Sequence, residues 1–264
     1  DGLIDLIVEE IHDTDIVCRV LNGGTISSSK GINVPGVRLS MPFMSEQDCA
    51  DIAFACEMDA DFIAASFVRT ADDVIALRKF VDFHGAFKPA GLTRTWPNVL
   101  NFEGVAGLEQ MKWSKESVDQ MMYDVTMPFI RMVAGPIDYT QGAMRNAIRK
   151  NYRPVNREPM SQGTRCHQLA AYAIFFSPLS MLCDSPTAYR KEHECAEFIA
   201  SVPTVWDETI AVDGRIGEYV LMARRSGDKW YIAGLTDWNS REVSIDLKPF
   251  ASNGKITLWS DGIN

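Results

Sequence analysis

The sequence predicts an α/β chain that ends in an antiparallel β module, and three observations predict it. Between about residues 45 and 200, amphipathic helical patterns alternate with short apolar runs of strand length. After Pro203 the apolar period changes to two, with turn residues between the runs. The 264 residues are 46% hydrophobic and 23% charged, which excludes a disordered tail or a fibrous repeat. No window approaches the roughly 18 uninterrupted apolar residues of a membrane span.

Charge divides the chain. Residues 1–80 hold 6 basic and 14 acidic side chains, while residues 81–264 hold 20 and 21. All 6 Trp and all 7 Tyr follow residue 80. Such a step suggests two segments of different character. The net charge of −9 shows no basic stripe, so nucleic acid is not an expected partner. The 6 cysteines form no CxxC pair and are expected to be buried free thiols. Asp1 is not a natural start, and the chain reads as a fragment.

In the first segment, Leu3–Ile11 and Asp15–Leu21 are strand-like, and Asn22-Gly23-Gly24 is a turn signal. Ser45-x-x-Asp48 reads as a capping box before a helix near 45–58. Cys49, Ile52, Ala53 and Cys56 share one face of that helix. A strand is expected near 61–68. Thr70-x-x-Asp73 caps a second helix, near 70–79.

In the second segment, strands are expected near 80–84, 98–102, 127–133 and 179–183. Helices are expected near 164–176 and 189–199. The alternating runs Glu218–Arg225, Lys229–Thr236, Glu242–Leu247 and Lys255–Trp259 form the β module. Asp82 and His84 lie on one face of their strand. Glu103 and Glu109 follow the next apolar run, beside Gly104 and Gly107. Loops after parallel strands are where barrel enzymes place chemistry, and glycine lets a ligand approach the backbone. Six residues is not a helical i, i+4 spacing, so spacing alone favours reading both glutamates as solvated loop acids. His167 and His193 are read as structural. Trp113, Trp206 and Trp259 are read as core, while Trp96 sits where it can stack on a ligand.

Several motifs resemble known families. Asn22-Gly23-Gly24, Lys30-Gly31-Ile32-Asn33-Val34-Pro35-Gly36, Ser45-Glu46-Gln47-Asp48 and Phe62–Arg69 with Ala71-Asp72-Asp73-Val74 resemble pyruvate kinase over about residues 1–79. That likeness implies the end of a lid domain and a return into a (β/α)8 barrel, and it carries no catalytic residue. Val81–Gly85, Arg94–Asn98, Asn101–Gly104, Met127–Arg131, Gly135–Thr140, Ser161–Gln168 and Val202–Thr209 resemble glycoside hydrolase family 97 over about residues 80–264.

The second resemblance implies a partial (β/α)8-type barrel followed by a C-terminal antiparallel β-sandwich module. It divides the chain into 1–79, 80–202 and 203–264. It implies a calcium-dependent α-glycosidase acting on an oligosaccharide or α-glycoside. Glu109 matches the general acid, Glu103 a Ca2+-binding glutamate and His84 a sugar-binding histidine, with Trp96 as a further substrate contact. The inverting branch carries a glutamate after that histidine. Gly85 stands there instead, which points to the retaining branch and to α-galactosides or α-glucosides. The retaining nucleophile would lie on an earlier strand, within the kinase-like stretch, so the chain is expected to be incomplete or inactive. A pyruvate kinase fragment and a non-enzymatic chimera or misjoined fragment are the alternatives. The glycosidase part suggests a periplasmic setting and the kinase-like part a cytoplasmic one. Exposed barrel edges invite self-association.

Overall fold

The computed structural model describes residues 4–25, 32, 44–58, 62–66, 80–250 and 254–261. The chain divides into two compact units, Asp1–Pro42 and Phe43–Asn264. The first unit contains an antiparallel hairpin of β1 (Leu6–His12) and β2 (Asp15–Val20). Its turn is Asp13-Thr14, ahead of the expected Asn22-Gly23-Gly24, because the β-branched run resumes at once at Asp15. Arg19 Nε meets Glu9 Oε1 at 2.5 Å across the ladder.

In the second unit, α1 (Glu46–Glu57) begins as expected. Ser45 N–H donates to Asp48 Oδ2 at 2.7 Å, and Asp48 N–H donates to Ser45 Oγ at 3.1 Å. This reciprocal pair satisfies two of the backbone donors that every helix start leaves open. The expected helix near 70–79 and its Thr70–Asp73 box lie outside the described residues.

Three parallel strands follow, β3 (Phe62–Ser66), β4 (Phe80–His84) and β5 (Val99–Phe102), paired in that order. Val81, Phe83, Val99 and Phe102 are buried together, and Met44, Ile52, Leu92 and Trp96 pack against them. Burying each such side chain stabilises by about 1.5–3 kcal/mol. Asp82 and Asn101 pair in register and are equally inaccessible, so this part of the sheet is covered on both faces.

A short helix α2 (Leu92–Thr95) precedes β5, and a 3-10 helix (Leu108–Lys112) follows it. The expected strand near 127–133 is instead the end of α3 (Gln120–Ile130), followed by a 3-10 turn at Met132–Ala134. Asp119 starts that helix by accepting from Met122 N–H, and Val125 and Met127 face the core. The apolar run therefore has a helical partner set that a short window does not display. The strand expected near 179–183 is also not formed. Asn101 Nδ2 and Ser177 Oγ both donate to the Leu179 carbonyl, so side chains take a group that a ladder would need.

The two-residue strands β6 (Asn146–Ala147) and β7 (Ser161–Gln162) lead into α4 (Arg165–Ile174), capped by Thr164. The helix expected near 189–199 is two, α5 (Pro186–Lys191) and α6 (His193–Ser201), broken where Glu192 leaves helical geometry. The C-terminal module is one antiparallel sheet of β8 (Glu208–Arg215), β9 (Tyr219–Ser226) and β10 (Lys229–Thr236). Strand β8 was not expected, and it occupies the second edge of β9. Residues 242–247 and 255–259 form no strand, because alternation supplies a face but no pairing partner. Val220, Met222 and Leu235 join Val125, Ile174 and Phe175 in the main core.

Cys18, Cys49, Cys166, Cys183 and Cys195 are free, but Cys49 is exposed and the others are only partly covered, against the expectation of buried thiols. Trp113 is also exposed rather than core, with the Lys112 ammonium over its ring.

Candidate active site

Two strand ends and two loops build the site. His84 is the last residue of β4, and Glu103 directly follows β5. Parallel pairing sets both at the same end of the sheet, and Glu103 N–H donates to the Phe83 carbonyl at 2.9 Å. Gly85 has φ 66°, a left-handed conformation that glycine adopts without strain. That bend presents its N–H to Glu103 Oε2 at 2.6 Å. Gly104 has φ 49°, and a Cβ there would lie 2.6 Å from Lys88 N. The chain after β5 therefore turns under a backbone that leaves no room for a side chain.

Glu109 sits in the 3-10 helix beyond this turn. The segment 137–140 anchors it. Leu108 N–H donates to the Tyr139 carbonyl at 2.8 Å, and Glu109 N–H donates to Thr140 Oγ1 at 3.3 Å. Thr140 takes φ 59°, a costly geometry for a β-branched residue, and its hydroxyl donates to the Tyr139 carbonyl. Asp138 N–H donates to the Phe102 carbonyl at 3.0 Å, which seats Asp138 alongside β5.

The charges converge on His84. Its Nδ1 lies 2.8 Å from Asp138 Oδ2, and its Nε2 lies 3.3 Å from Glu109 Oε1. His84, Glu103 and Glu109 each present a ligand atom within 4.8 Å of the others. Burial pulls the His84 pKa down, but the bond to Asp138 and the surrounding carboxylates outweigh it and raise it. Burial raises Glu103 as well, opposed by the Gly85 N–H and by His84. Asp82 is inaccessible, and burial beside Asp138 pushes its carboxyl up to about 8. Neither Asp82 oxygen meets an N–H or hydroxyl donor among the described residues, nor does Asp138 Oδ1. A proton shared between the two carboxyls satisfies both. Asp82 is thus turned into the protein and is not offered to a ligand.

The structure brings three of the four expected site residues together, namely His84, Glu103 and Glu109. Trp96 stands apart. It precedes β5, whose opposite end leads to Glu103, and it packs against the Val81–Phe102 core. Sequence reading missed three contributors. Asp138 and Thr140 were quoted only as parts of a motif. Arg131 was quoted in the same way. Its guanidinium donates to the carbonyls of Phe102, Glu103, Gly135 and Pro136 and so clamps the end of β5. His167 and His193 are clear of the site, His167 buried on Asp124 and His193 exposed beside Glu197.

Comparison with known proteins finds both resemblances in one chain. Residues 1–118 match the pyruvate kinase barrel domain. Residues 205–264 match the glycosyl-hydrolase 97 C-terminal, oligomerisation domain. A retaining alpha-galactosidase of Bacteroides thetaiotaomicron is 55% identical over 209 residues, 79% of this chain and 32% of that protein. A pyruvate kinase of Clostridium perfringens is 48% identical over 85 residues, 32% of this chain and 18% of that protein. A glycoside hydrolase family 97 enzyme from Pseudoalteromonas sp. strain K8, solved with acarbose, superimposes with TM-score 0.60 at 29% identity. That match covers 69% of this chain and 28% of the other. The chain therefore spans about a third or less of the length of these relatives.

Proposed function

We propose that the chain carries the acid-bearing part of a retaining α-glycosidase site, shaped for an α-galactoside or α-glucoside. The observation that carries this reading is the meeting of His84, Glu103 and Glu109 at one end of a parallel sheet, in a chain similar to a retaining alpha-galactosidase. In this reading β3, β4, β5 and the 137–140 segment are an arc of a (β/α)8 barrel. The chain then divides into a kinase-like stretch over 1–79, a barrel part over 80–202 and a β module over 203–264.

Glu109 is the proton donor. Retaining hydrolysis needs an acid on one side of the glycosidic oxygen and a nucleophilic carboxylate about 5–5.5 Å away. Glu109 is partly accessible, and its carboxyl lies against the imidazole of His84, which also has an open edge for a sugar hydroxyl. Trp96 is left as a packing residue. Asp82 does not serve as the nucleophile in this reading, because its side chain is inaccessible and packed beside Asp138. The reading therefore includes weak sugar binding with little or no turnover by this chain alone.

Calcium is part of the proposal through Glu103. Ca2+ takes six or more oxygen ligands, and the Glu103 carboxylate fits that preference while the imidazole does not and Glu109 is kept for the acid role. Bound there, the ion would hold sugar hydroxyls. Glu103 supplies too few oxygens by itself. Self-association belongs to the same reading, since β8 and β10 each leave one edge unpaired within their sheet.

Calorimetry with galactose and glucose, and assays with aryl α-galactoside and aryl α-glucoside with and without Ca2+, test this. Sugar binding without robust turnover is expected, weakened in Glu109→Gln. Robust turnover lost in Glu109→Gln would show that a nucleophile is present after all. Turnover indifferent to Glu109→Gln would remove the assignment of the acid. A pyruvate kinase fragment remains the second reading because of the match over residues 1–118. Phosphoryl transfer from phosphoenolpyruvate to ADP is expected to be absent, and its presence would favour that reading.

A further inference from the structure

Asp138 is held through both its backbone and its side chain. Its backbone N–H donates to the Phe102 carbonyl, so its place beside β5 is set by the backbone rather than by its side chain. Its carboxyl is 1% exposed. One oxygen faces His84 Nδ1 at 2.8 Å, and the carboxyl lies beside that of Asp82, whose pKa is raised by burial and then by this charge. A carboxylate oxygen can only accept and each ring nitrogen faces one, so the single hydrogen of the neutral ring goes to the shorter and more buried contact, Nδ1 to Asp138, rather than to the 3.3 Å contact of Nε2 with the more exposed Glu109. A neutral imidazole carries one hydrogen, and the bond made by one nitrogen decides the state of the other. With Nδ1 protonated, Nε2 is left bare and pointing at Glu109 Oε1, 3.3 Å away. The ring is only 30% exposed in its side chain, so it has no freedom to turn over without losing both contacts.

We propose that Asp138 is a positioning residue that locks His84 in the Nδ1–H form, with Nε2 facing Glu109 and the ligand space beside it. Asp82, two residues before His84 on the same face of β4, lies buried beside Asp138. The consequence for sugar recognition rests on the glycosidase reading. The tautomer itself does not.

The test uses the full chain labelled with 15N and long-range 1H–15N spectra of its 4 histidines. Spectra are taken above the titration of His84, with His84→Gln used to assign its signals. His84 is expected to show a protonated Nδ1 and a bare Nε2. His167, whose Nε2 lies 2.8 Å from Asp124 Oδ2, supplies the opposite pattern in the same spectrum. Asp138→Asn keeps an accepting oxygen and is expected to retain the Nδ1–H pattern. Asp138→Ala is expected to return His84 to a mixture dominated by Nε2–H. Galactose binding is expected to weaken roughly tenfold in Asp138→Ala, the effect of about 1.4 kcal/mol, and to be largely restored in Asp138→Asn. A wild-type His84 with Nε2–H, or an Asp138→Ala spectrum unchanged from wild type, would overturn the proposal. If the alanine variant does not fold, the wild-type and asparagine spectra still decide it. The expected tautomer in a chain that binds no sugar would sink the glycosidase reading and leave the assignment of Asp138 standing.

Discussion

The Gly85 N–H donates to Glu103 Oε2 at 2.6 Å, and it does so because Gly85 bends into left-handed backbone at the end of β4. One residue thus ends a strand and holds the carboxylate that follows the neighbouring strand. Nothing lies within 4 Å of a Cβ built at Gly85, so a side chain there meets strain but no collision. Gly85→Ala is expected to cost about 1–2 kcal/mol, the penalty of left-handed geometry for an L-residue. Urea midpoints measure it. A change below a few tenths of a kcal/mol would mean that the bend relaxes freely.

Asp82 makes stability depend on pH. Its carboxyl is raised from an ordinary 3.8 to about 8, first by burial and then by Asp138. Between those values the folded chain holds a proton that the unfolded chain has released. Stability should therefore be greatest at the acid end of that window and fall as pH rises towards 8, by up to about 1.4 kcal/mol per pH unit. Asp82→Asn should flatten the slope between pH 5 and 8. Equal slopes in wild type and variant by denaturant titration would contradict the shared proton.

Asp124 is a buried acceptor with three donors. His167 Nε2 lies 2.8 Å from it, Gln120 Nε2 donates at 3.2 Å, and the Tyr139 hydroxyl donates to its other oxygen. This cluster ties α3 and α4 to the segment that carries Asp138 and Thr140. Asp124→Ala should cost about 3–5 kcal/mol, because it leaves buried donors unpaired. In a double-mutant cycle with His167→Ala the losses should fall well short of additive. Additive losses by thermal unfolding would mean that the two side chains act separately.

Arg131 holds four carbonyls with a planar fork, and lysine cannot copy that geometry. Arg131→Lys keeps the charge but should lose about 2 kcal/mol, with carbonyls at the end of β5 left open. Amide exchange of the 103–109 turn should quicken by more than tenfold. Unchanged exchange would show that the turn is held by its glycines alone.

The sequence was enough for the parts that local chemistry decides. The reciprocal Ser45–Asp48 cap depends on residues three apart, and the structure has it. The edges of β4, β5, β9 and β10 follow apolar runs bounded by turn residues, and they fall within a residue or two of expectation. The grouping of His84, Glu103 and Glu109 was anticipated from motifs, and parallel pairing brings it about.

What needed the tertiary structure was everything settled by a distant partner. The apolar run 127–133 is helical because the core accepts Val125 and Met127 from a helix that begins at Asp119. Residues 242–247 alternate like a strand and pair with no strand among the described residues, while Glu208–Arg215 does pair. Trp96 was grouped with the site residues by its motif, yet it lies before a strand whose far end leads to Glu103. Asp138 is 54 residues from His84 in sequence and 2.8 Å from it in space. Sequence reports which groups can donate, accept or ionise. Packing decides which of them meet, and burial decides which of them keep their protons.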